Sequence, residues 1–154
     1  MLNKSRLITC NYKCELYNTD EYHYNLKWEI EMTPKEIVAK GYDCFATGDM
    51  DTFIGLFHAD CKIVNNGMHK FSGTYTGIEA FIALLSQIPS HFDNFTVKCT
   101  HQIAEGNEVF SQVHGTADGL DANFGHYHKI EEGKIKEFWI YDDSQKMAAT
   151  MKAM

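Results

Sequence analysis

The spacing of the hydrophobic residues changes once along the chain, and this change limits the possible folds more than any other feature. Between residues 34 and 87, apolar side chains recur at helical intervals in three segments, as Val38, Tyr42 and Phe45 do, and residues 59–67 between the second and third of them are predicted as a strand that ends in a turn. Between residues 95 and 141 they alternate with polar ones, which is typical of strands. Helices followed by a run of long strands predict an α+β fold, in which a curved antiparallel sheet packs against helices on one face.

Local signals place the ends of the first two helices. Thr33, Pro34 and Glu36 form a capping box with proline at the first helical position. The helix that begins there is predicted to end at Gly48, because glycine readily adopts the left-handed conformation that follows a helix. Asp49 is predicted to cap a short second helix.

Similar signals divide the rest of the chain. Residues 72–77, Ser-Gly-Thr-Tyr-Thr-Gly, are predicted as a loop, and Thr76 is predicted to cap a third helix that ends before Pro89. The Glu-Gly pair at residues 132–133 predicts a tight hairpin between the last two strands. A short C-terminal helix is predicted from Ser144. Its apolar positions are Met147, Met151 and Met154.

The first 31 residues lack the hydrophobic period of the remainder. They mix Tyr, Asn, Lys and Glu without a helical or strand pattern, so we predict an N-terminal extension over residues 1–31 and one domain over residues 32–154. Two interpretations of this extension stay open. It is either an ordered segment that packs on the domain or on a partner, or a segment upstream of a start at Met32.

Composition excludes several classes of partner. The chain of 154 residues has a formal net charge of -7 and no basic stripe, so neither nucleic acid nor an anionic membrane surface is an expected partner. No apolar run approaches the roughly 18–20 residues that cross a bilayer, and we expect a cytoplasmic protein. The five cysteines are an odd number without zinc-ligand spacing, which favours reduced thiols and no metal site.

Four short motifs carry a family likeness. They are the Gly-Asp pair at residues 48–49, Phe-x-x-Asp at 57–60, Gly-x-x-x-Gly at 73–77 and Gly-Lys-Ile at 133–135. In this order and spacing, the chain from about residue 34 to its end resembles the SnoaL-like branch of the NTF2-like (ketosteroid isomerase-like) superfamily. The resemblance implies an α+β cone, in which a curved sheet wraps around three helices, encloses a deep apolar pocket and commonly forms a dimer through the sheet.

The same resemblance argues against true ketosteroid isomerase activity. In those enzymes a carboxylate on the first strand moves the proton, while a helix-one Tyr and a neutral acid hold the oxyanion. By motif these three positions fall on Asn65, Gly41 and His126, with Tyr42 one step around the helix from Gly41. An amide cannot act as a general base, so a different polar set must carry any chemistry.

His126 and Asp142 are the predicted catalytic pair. By the family pattern both face the cone, and a histidine beside a carboxylate in an apolar site can transfer protons near neutral pH. His126 would be the acid–base residue, and Asp142 would either orient its ring or act as the base. Two alternatives stay open: His126 is a structural histidine bonded to a carbonyl, or Asp142 caps the last helix in place of Asp143.

Further ligand contacts are predicted around this pair, and no cofactor is expected. His128 is predicted at the rim of the cone. Three further histidines, His58, His69 and His91, are interpreted as surface or loop residues. The predicted ligand-contacting residues are Tyr42, Asn65, His114, Phe124, His128, Phe138 and Ile140.

The last strand is apolar on both faces, which predicts a second buried surface. Phe138, Ile140 and Asp142 are assigned to the cone, so Trp139 and Tyr141 fall outside, with Ile135 and Glu137. Exposed aromatic residues on a sheet face indicate a protein partner. We therefore expect a homodimer that packs through the outer face of the sheet.

Three functions remain compatible with the sequence. The first is a cofactor-independent isomerase, cyclase or dehydratase acting on a small apolar molecule, the second a non-catalytic binding module, and the third a dimeric interaction protein whose cone is filled. An open cone of roughly 300 Å³ or more, a His126–Asp142 hydrogen bond and a raised His126 pKa would favour the enzyme.

Overall fold

The computed structural model describes residues 12–13 and 29–152, with side chains from residue 31 onward, and it divides into two compact units. The first unit, residues 1–32, contains two paired antiparallel strands, β1 (Tyr12–Lys13) and β2 (Glu29–Ile30). The second unit, residues 33–154, contains the other described elements. Met154, predicted to lie on the last helix, falls outside the described residues.

The second unit combines five helices with a six-stranded sheet, which confirms the predicted α+β class. The strands lie in the order β4-β3-β8-β7-β6-β5. The helices are α1 (Pro34–Thr47), α2 (Met50–Gly55), α3 (Ile78–Leu85), α4 (Ile88–His91) and α5 (Ser144–Thr150). The strands are β3 (Phe57–Asn65), β4 (Gly73–Thr76), β5 (Thr96–Glu105), β6 (Glu108–Ala117), β7 (Leu120–Glu131) and β8 (Lys134–Tyr141). Among the described residues, no helix is both long and apolar enough to cross a membrane.

The predicted ends of the first two helices are confirmed. The Thr33 hydroxyl accepts the Glu36 N–H, and the Glu36 carboxylate accepts the Thr33 N–H at 2.7 Å, which completes the capping box. Gly48 ends α1 with φ 74° and donates its N–H to the Cys44 carbonyl. Asp49 caps α2 through the Thr52 N–H.

The segment before α3 differs from the prediction. Residues 73–76 form strand β4 rather than a loop, because they pair with β3 from Lys62↔Thr76 to Asn65↔Gly73. Gly77, not Thr76, precedes α3, and no side chain caps that helix. Gly77 has φ 86° and donates its N–H to the Cys61 carbonyl, a close approach that tertiary pairing imposes.

The sheet is antiparallel except for one pair, and a bulge changes the face of one predicted residue. Strands β3 and β8 run parallel. In the β7–β8 pair, Lys129 faces Glu137 and Ile130 faces Ile135, so Lys136 is an extra residue. The bulge turns Ile135 inward, where it is 2% exposed, and the prediction that it shares the outer face with Trp139 is wrong.

Candidate functional site

A cavity of about 110 Å³ lies inside the second unit, with walls from α1, α3, α4 and the inner face of the sheet. Most of its lining is apolar, and Phe124, Phe138 and Ile140 belong to it, as predicted from strand parity. Its polar lining residues are Tyr42, Asn65, His126, His128 and Asp142. The cone is therefore not filled completely, but its cavity is smaller than the roughly 300 Å³ at which drug-sized ligand sites begin.

Asp142 faces this cavity, but its partner is His69 and not His126. The Nε2 of His69 lies 2.7 Å from Oδ2 of Asp142, and the two side chains are 0% and 2% exposed. The backbone N–H of Phe71 donates to Nδ1 of His69 at 3.2 Å. Because Nδ1 accepts this hydrogen bond, it carries no hydrogen of its own, so Nε2 must carry the ring hydrogen and donate it to Asp142. His69 is thus neutral, and both of its nitrogens are occupied.

The second oxygen of Asp142 has no partner. Oδ1 is buried and accepts no hydrogen bond from the described residues, and the same holds for Oδ1 of Asn65. Asn65 pairs with Ile140 in the parallel β3–β8 register, so it lies beside the strand end that leads to Asp142. Asp143, not Asp142, caps α5 by accepting the Lys146 N–H. The alternative that Asp142 is only a helix cap is therefore excluded.

His126 is a neutral cavity histidine bonded to a tyrosine. Its Nδ1 lies 2.9 Å from the Tyr42 hydroxyl, and its ring stacks near Tyr42 and Phe124. Burial lowers the pKa of His126 from 6.5 to about 3. The predicted His126–Asp142 pair and its raised pKa are both wrong, because each residue has a different partner and no carboxylate among the described residues compensates for the desolvation of the imidazole.

The Tyr42 hydroxyl bears on which nitrogen of His126 carries the ring hydrogen. Burial raises the pKa of Tyr42 well above its usual value, so this hydroxyl keeps its proton at neutral pH. When the hydroxyl donates to Nδ1 of His126, Nε2 carries the ring hydrogen and is the donor available to the cavity.

His128 is buried rather than at the rim. It is 4% exposed and stacks on Phe138, with ring centroids 4.3 Å apart. Burial lowers the pKa of His128 well below its usual value, and the neighbouring His126 adds to the effect. The rim position was wrong because β7 extends to Glu131, so residue 128 lies well inside the sheet.

His114 does not join the site. Val113 and Gly115 are buried on the inner face of β6, so the intervening His114 points outward. Its side chain is 37% exposed, and Nε2 bonds the Asp121 carboxylate at 2.9 Å. The alternation of Val109, Ser111 and Val113 in the sequence already carried this signal.

Two histidines assigned to surface or loop positions are buried. His69 is 8% exposed and His91 is 3% exposed. In the buried position of His91, Nε2 accepts a hydrogen bond from the Lys70 ammonium group at 2.9 Å. His69 does lie in the loop between β3 and β4, but the loop folds back over the sheet end. One sequence signal pointed to this, namely Phe71, an apolar residue in a polar loop that is 4% exposed.

Comparisons with known proteins identify the class to which this fold and cavity belong. The sequence profile of the SnoaL-like domain matches residues 38–138. The chain therefore belongs to the SnoaL-like family. No curated protein sequence matches the chain.

Solved structures of similar proteins agree with this fold. Bal32a, from a soil-derived mobile gene cassette, is 21% identical with a TM-score of 0.72, covering 77% of this chain and 96% of its own. An NTF2-like protein of unknown function from Burkholderia pseudomallei is 19% identical with a TM-score of 0.70, covering 79% and 100%. IdmH, a putative polyketide cyclase from Streptomyces antibioticus, is 17% identical with a TM-score of 0.67, covering 77% and 98%. At these identities the likeness establishes the fold alone.

Proposed function

We propose that the cavity binds a small apolar, carbonyl-bearing molecule and that Asp142 transfers a proton on it without a cofactor. The observation that carries the proposal is Oδ1 of Asp142, a buried oxygen in a cavity wall to which none of the described residues donates a hydrogen bond. Buried polar atoms are normally satisfied, and exceptions often mark functional sites. The class of reaction is that of an isomerase, cyclase or dehydratase, and the fold shared with IdmH, a putative polyketide cyclase, is compatible with it.

Three of the described side chains have separate roles in the proposed reaction. Asp142 accepts a proton from a carbon next to the carbonyl and returns it to another atom of the same molecule, so the carboxylate is regenerated. His126 donates Nε2–H to the carbonyl oxygen, where negative charge collects. His69 is a positioning residue, because its bond to Oδ2 holds the carboxylate with Oδ1 toward the cavity. His126 acts as a neutral donor, since a pKa of about 3 leaves it uncharged near pH 7.

Hydrogen–deuterium exchange tests the proposal without a known substrate. Cyclohexanone is a one-ring ketone with exchangeable hydrogens beside its carbonyl, and its deuteration in D₂O can be followed by NMR. We expect the protein to accelerate exchange, and Asp142→Asn to lower the protein-catalysed rate by about 10²-fold or more. Asp121→Asn is the matched control, because that carboxylate is 85% exposed. Equal rates for the wild type and Asp142→Asn would refute proton transfer by Asp142.

A non-catalytic binding module is the second candidate, and the size of the cavity favours it. A volume of about 110 Å³ is small for a substrate that must also rearrange. In that case the polar residues only orient a ligand. Ligand-induced stabilisation without any acceleration of exchange would identify this function, whereas acceleration that is lost in Asp142→Asn would exclude it.

We also propose a homodimer through the outer face of the sheet. Phe110 pairs with Tyr127, and Tyr127 pairs with Trp139, so aromatic side chains form a row across three strands. Phe110 is 42% exposed and Tyr141 is 46% exposed. Sedimentation equilibrium should show a dimer that Phe110→Lys weakens and Met68→Lys, at a loop residue 95% exposed, leaves intact. A monomeric wild type at tens of micromolar would refute the dimer.

A cytoplasmic location completes the proposal. The cysteines described in the second unit, Cys44, Cys61 and Cys99, are all free thiols, as expected in a reducing compartment. Cell fractionation with thiol labelling tests this. Recovery in an oxidising compartment would contradict it.

A further inference from the structure

We infer that the Asp142 end of the cavity binds a hydroxyl group, so that the ligand of the proposed function carries a phenolic or enolic O–H there. The inference rests on the proposed ligand cavity but not on catalysis. It concerns the polarity of hydrogen bonding at one end of the site, where Oδ1 of Asp142 is an acceptor without a hydrogen-bond partner among the described residues.

The tautomer of His69 sets this polarity. The Phe71 N–H occupies Nδ1, so His69 donates through Nε2 to Oδ2 of Asp142. No lone pair or hydrogen of His69 remains for a ligand. Asp142 is thus the only member of the pair that can contact the cavity, and it does so through the lone pairs of Oδ1.

Asn65 shares the cavity lining with Asp142. Its buried Oδ1 has no partner among the described residues, and its amide also carries N–H donors, so the acceptor polarity rests on Asp142. None of the described residues that line this cavity is Lys or Arg, so no side-chain cation from the lining satisfies Oδ1 of Asp142. A hydroxyl placed beside Asp142 would supply a hydrogen to Oδ1, whereas a carbonyl would bring a lone pair against the lone pairs of that oxygen. Leaving a buried acceptor unpaired carries the full cost of its desolvation.

The remainder of the cavity restricts what carries this hydroxyl. Phe138 and Ile140 line the cavity together with Asp142, and most of the other lining residues are also apolar, so the body of the ligand is apolar. An apolar cavity of about 150 Å³ accepts one benzene ring, and a cavity of about 110 Å³ is of the same order. Phenol is therefore a suitable probe, and benzaldehyde is a matched probe whose polar group can only accept hydrogen bonds.

Replacing Asp142 by asparagine should invert the polarity. Because Nε2–H of His69 needs an acceptor, the amide oxygen of the new side chain must take the place of Oδ2. The amide nitrogen then takes the place of Oδ1 and presents N–H groups to the cavity. Asp142→Asn therefore changes a carbonyl from a disfavoured group at this position into a favoured one, with almost no change in side-chain volume.

The experiment measures the affinities of phenol, benzaldehyde and benzene by NMR titration of the wild type, Asp142→Asn and the control Asp121→Asn. In the wild type and the control, phenol should bind about tenfold more tightly than benzaldehyde, because its O–H reaches a charged acceptor while benzaldehyde meets only neutral donors such as the His126 and Asn65 N–H groups. In Asp142→Asn, the order of phenol and benzaldehyde should reverse.

Each outcome decides a separate point. If none of the three probes binds the wild type, the ligand cavity of the proposed function is refuted and the inference fails with it. If benzene and benzaldehyde bind the wild type as tightly as phenol does, the cavity stands and the hydroxyl inference is refuted. An unchanged phenol preference in a folded Asp142→Asn variant also refutes it. Should circular dichroism show that this variant is unfolded, the order of affinities in the wild type decides alone.

Discussion

Mild acid should destabilise the protein through His126, and the structure sets the size of the effect. The pKa of this imidazole is lowered by burial from 6.5 to about 3 in the folded chain. Between these pH values the unfolded chain binds more protons at this position than the folded chain does. The contribution of His126 to the free energy of unfolding is therefore fully present above pH 6.5 and is lost as the pH decreases toward 3. At pH 5 the difference of 1.5 pH units from 6.5 corresponds to about 2 kcal/mol.

Urea unfolding of the wild type and His126→Gln at pH 7.5 and pH 5.0 isolates this contribution. The variant lacks the titrating imidazole, so its loss of unfolding free energy on acidification should be smaller than that of the wild type by about 2 kcal/mol. The carboxylates are present in both proteins, and burial, the main cause of the lowered His128 pKa, acts on His128 in both. His101→Gln replaces an exposed histidine and is the matched control for the substitution itself. If the two proteins differ by less than about 0.5 kcal/mol in their loss of unfolding free energy, His126 is not a desolvated imidazole without a carboxylate partner.

Two further predictions concern packing around the cavity, and both are measured by urea unfolding. Phe138→Ala should lower the free energy of unfolding by about 3–5 kcal/mol, because the ring is 7% exposed and stacks on His128. A decrease below about 1 kcal/mol would contradict the place of this ring in the core. Gly115→Ala should cost about 1–3 kcal/mol, since the added methyl would lie 2.1 Å from the Phe124 ring, whereas Gly55→Ala has no atom within 4 Å and should cost nothing. Equal stabilities of these two glycine variants would contradict the packing of β6 against Phe124.

The general fold could be predicted because its signals are local. The capping box at Thr33 and Glu36 and the hairpin at residues 132–133 depend on neighbours in the sequence, and the structure contains both. Strand alternation assigned Phe138 and Ile140 to the cavity correctly. It misplaced Ile135, because a bulge inserts one residue and reverses the parity behind it.

The candidate site was harder to predict because its contacts join distant segments. Asp142 meets His69 across 73 residues, and His126 meets Tyr42 across 84. Strand parity indicates which face a side chain occupies, but it does not identify the loop that closes over the end of the sheet. His126 was predicted to pair with Asp142 because the two residues share a face of the sheet. The actual partner of Asp142 is His69, which the path of residues 66–72 brings to it.

The central claim is that Asp142 presents one free oxygen to the cavity while neutral His69 holds the other. Nitrogen-15 NMR of the His69 ring tests this most directly, because protonated and unprotonated ring nitrogens have widely separated chemical shifts. The account predicts a protonated Nε2 and an unprotonated Nδ1 at pH 7, with Nε2 shifting when phenol is added. A doubly protonated ring, or a hydrogen on Nδ1 alone, would contradict it.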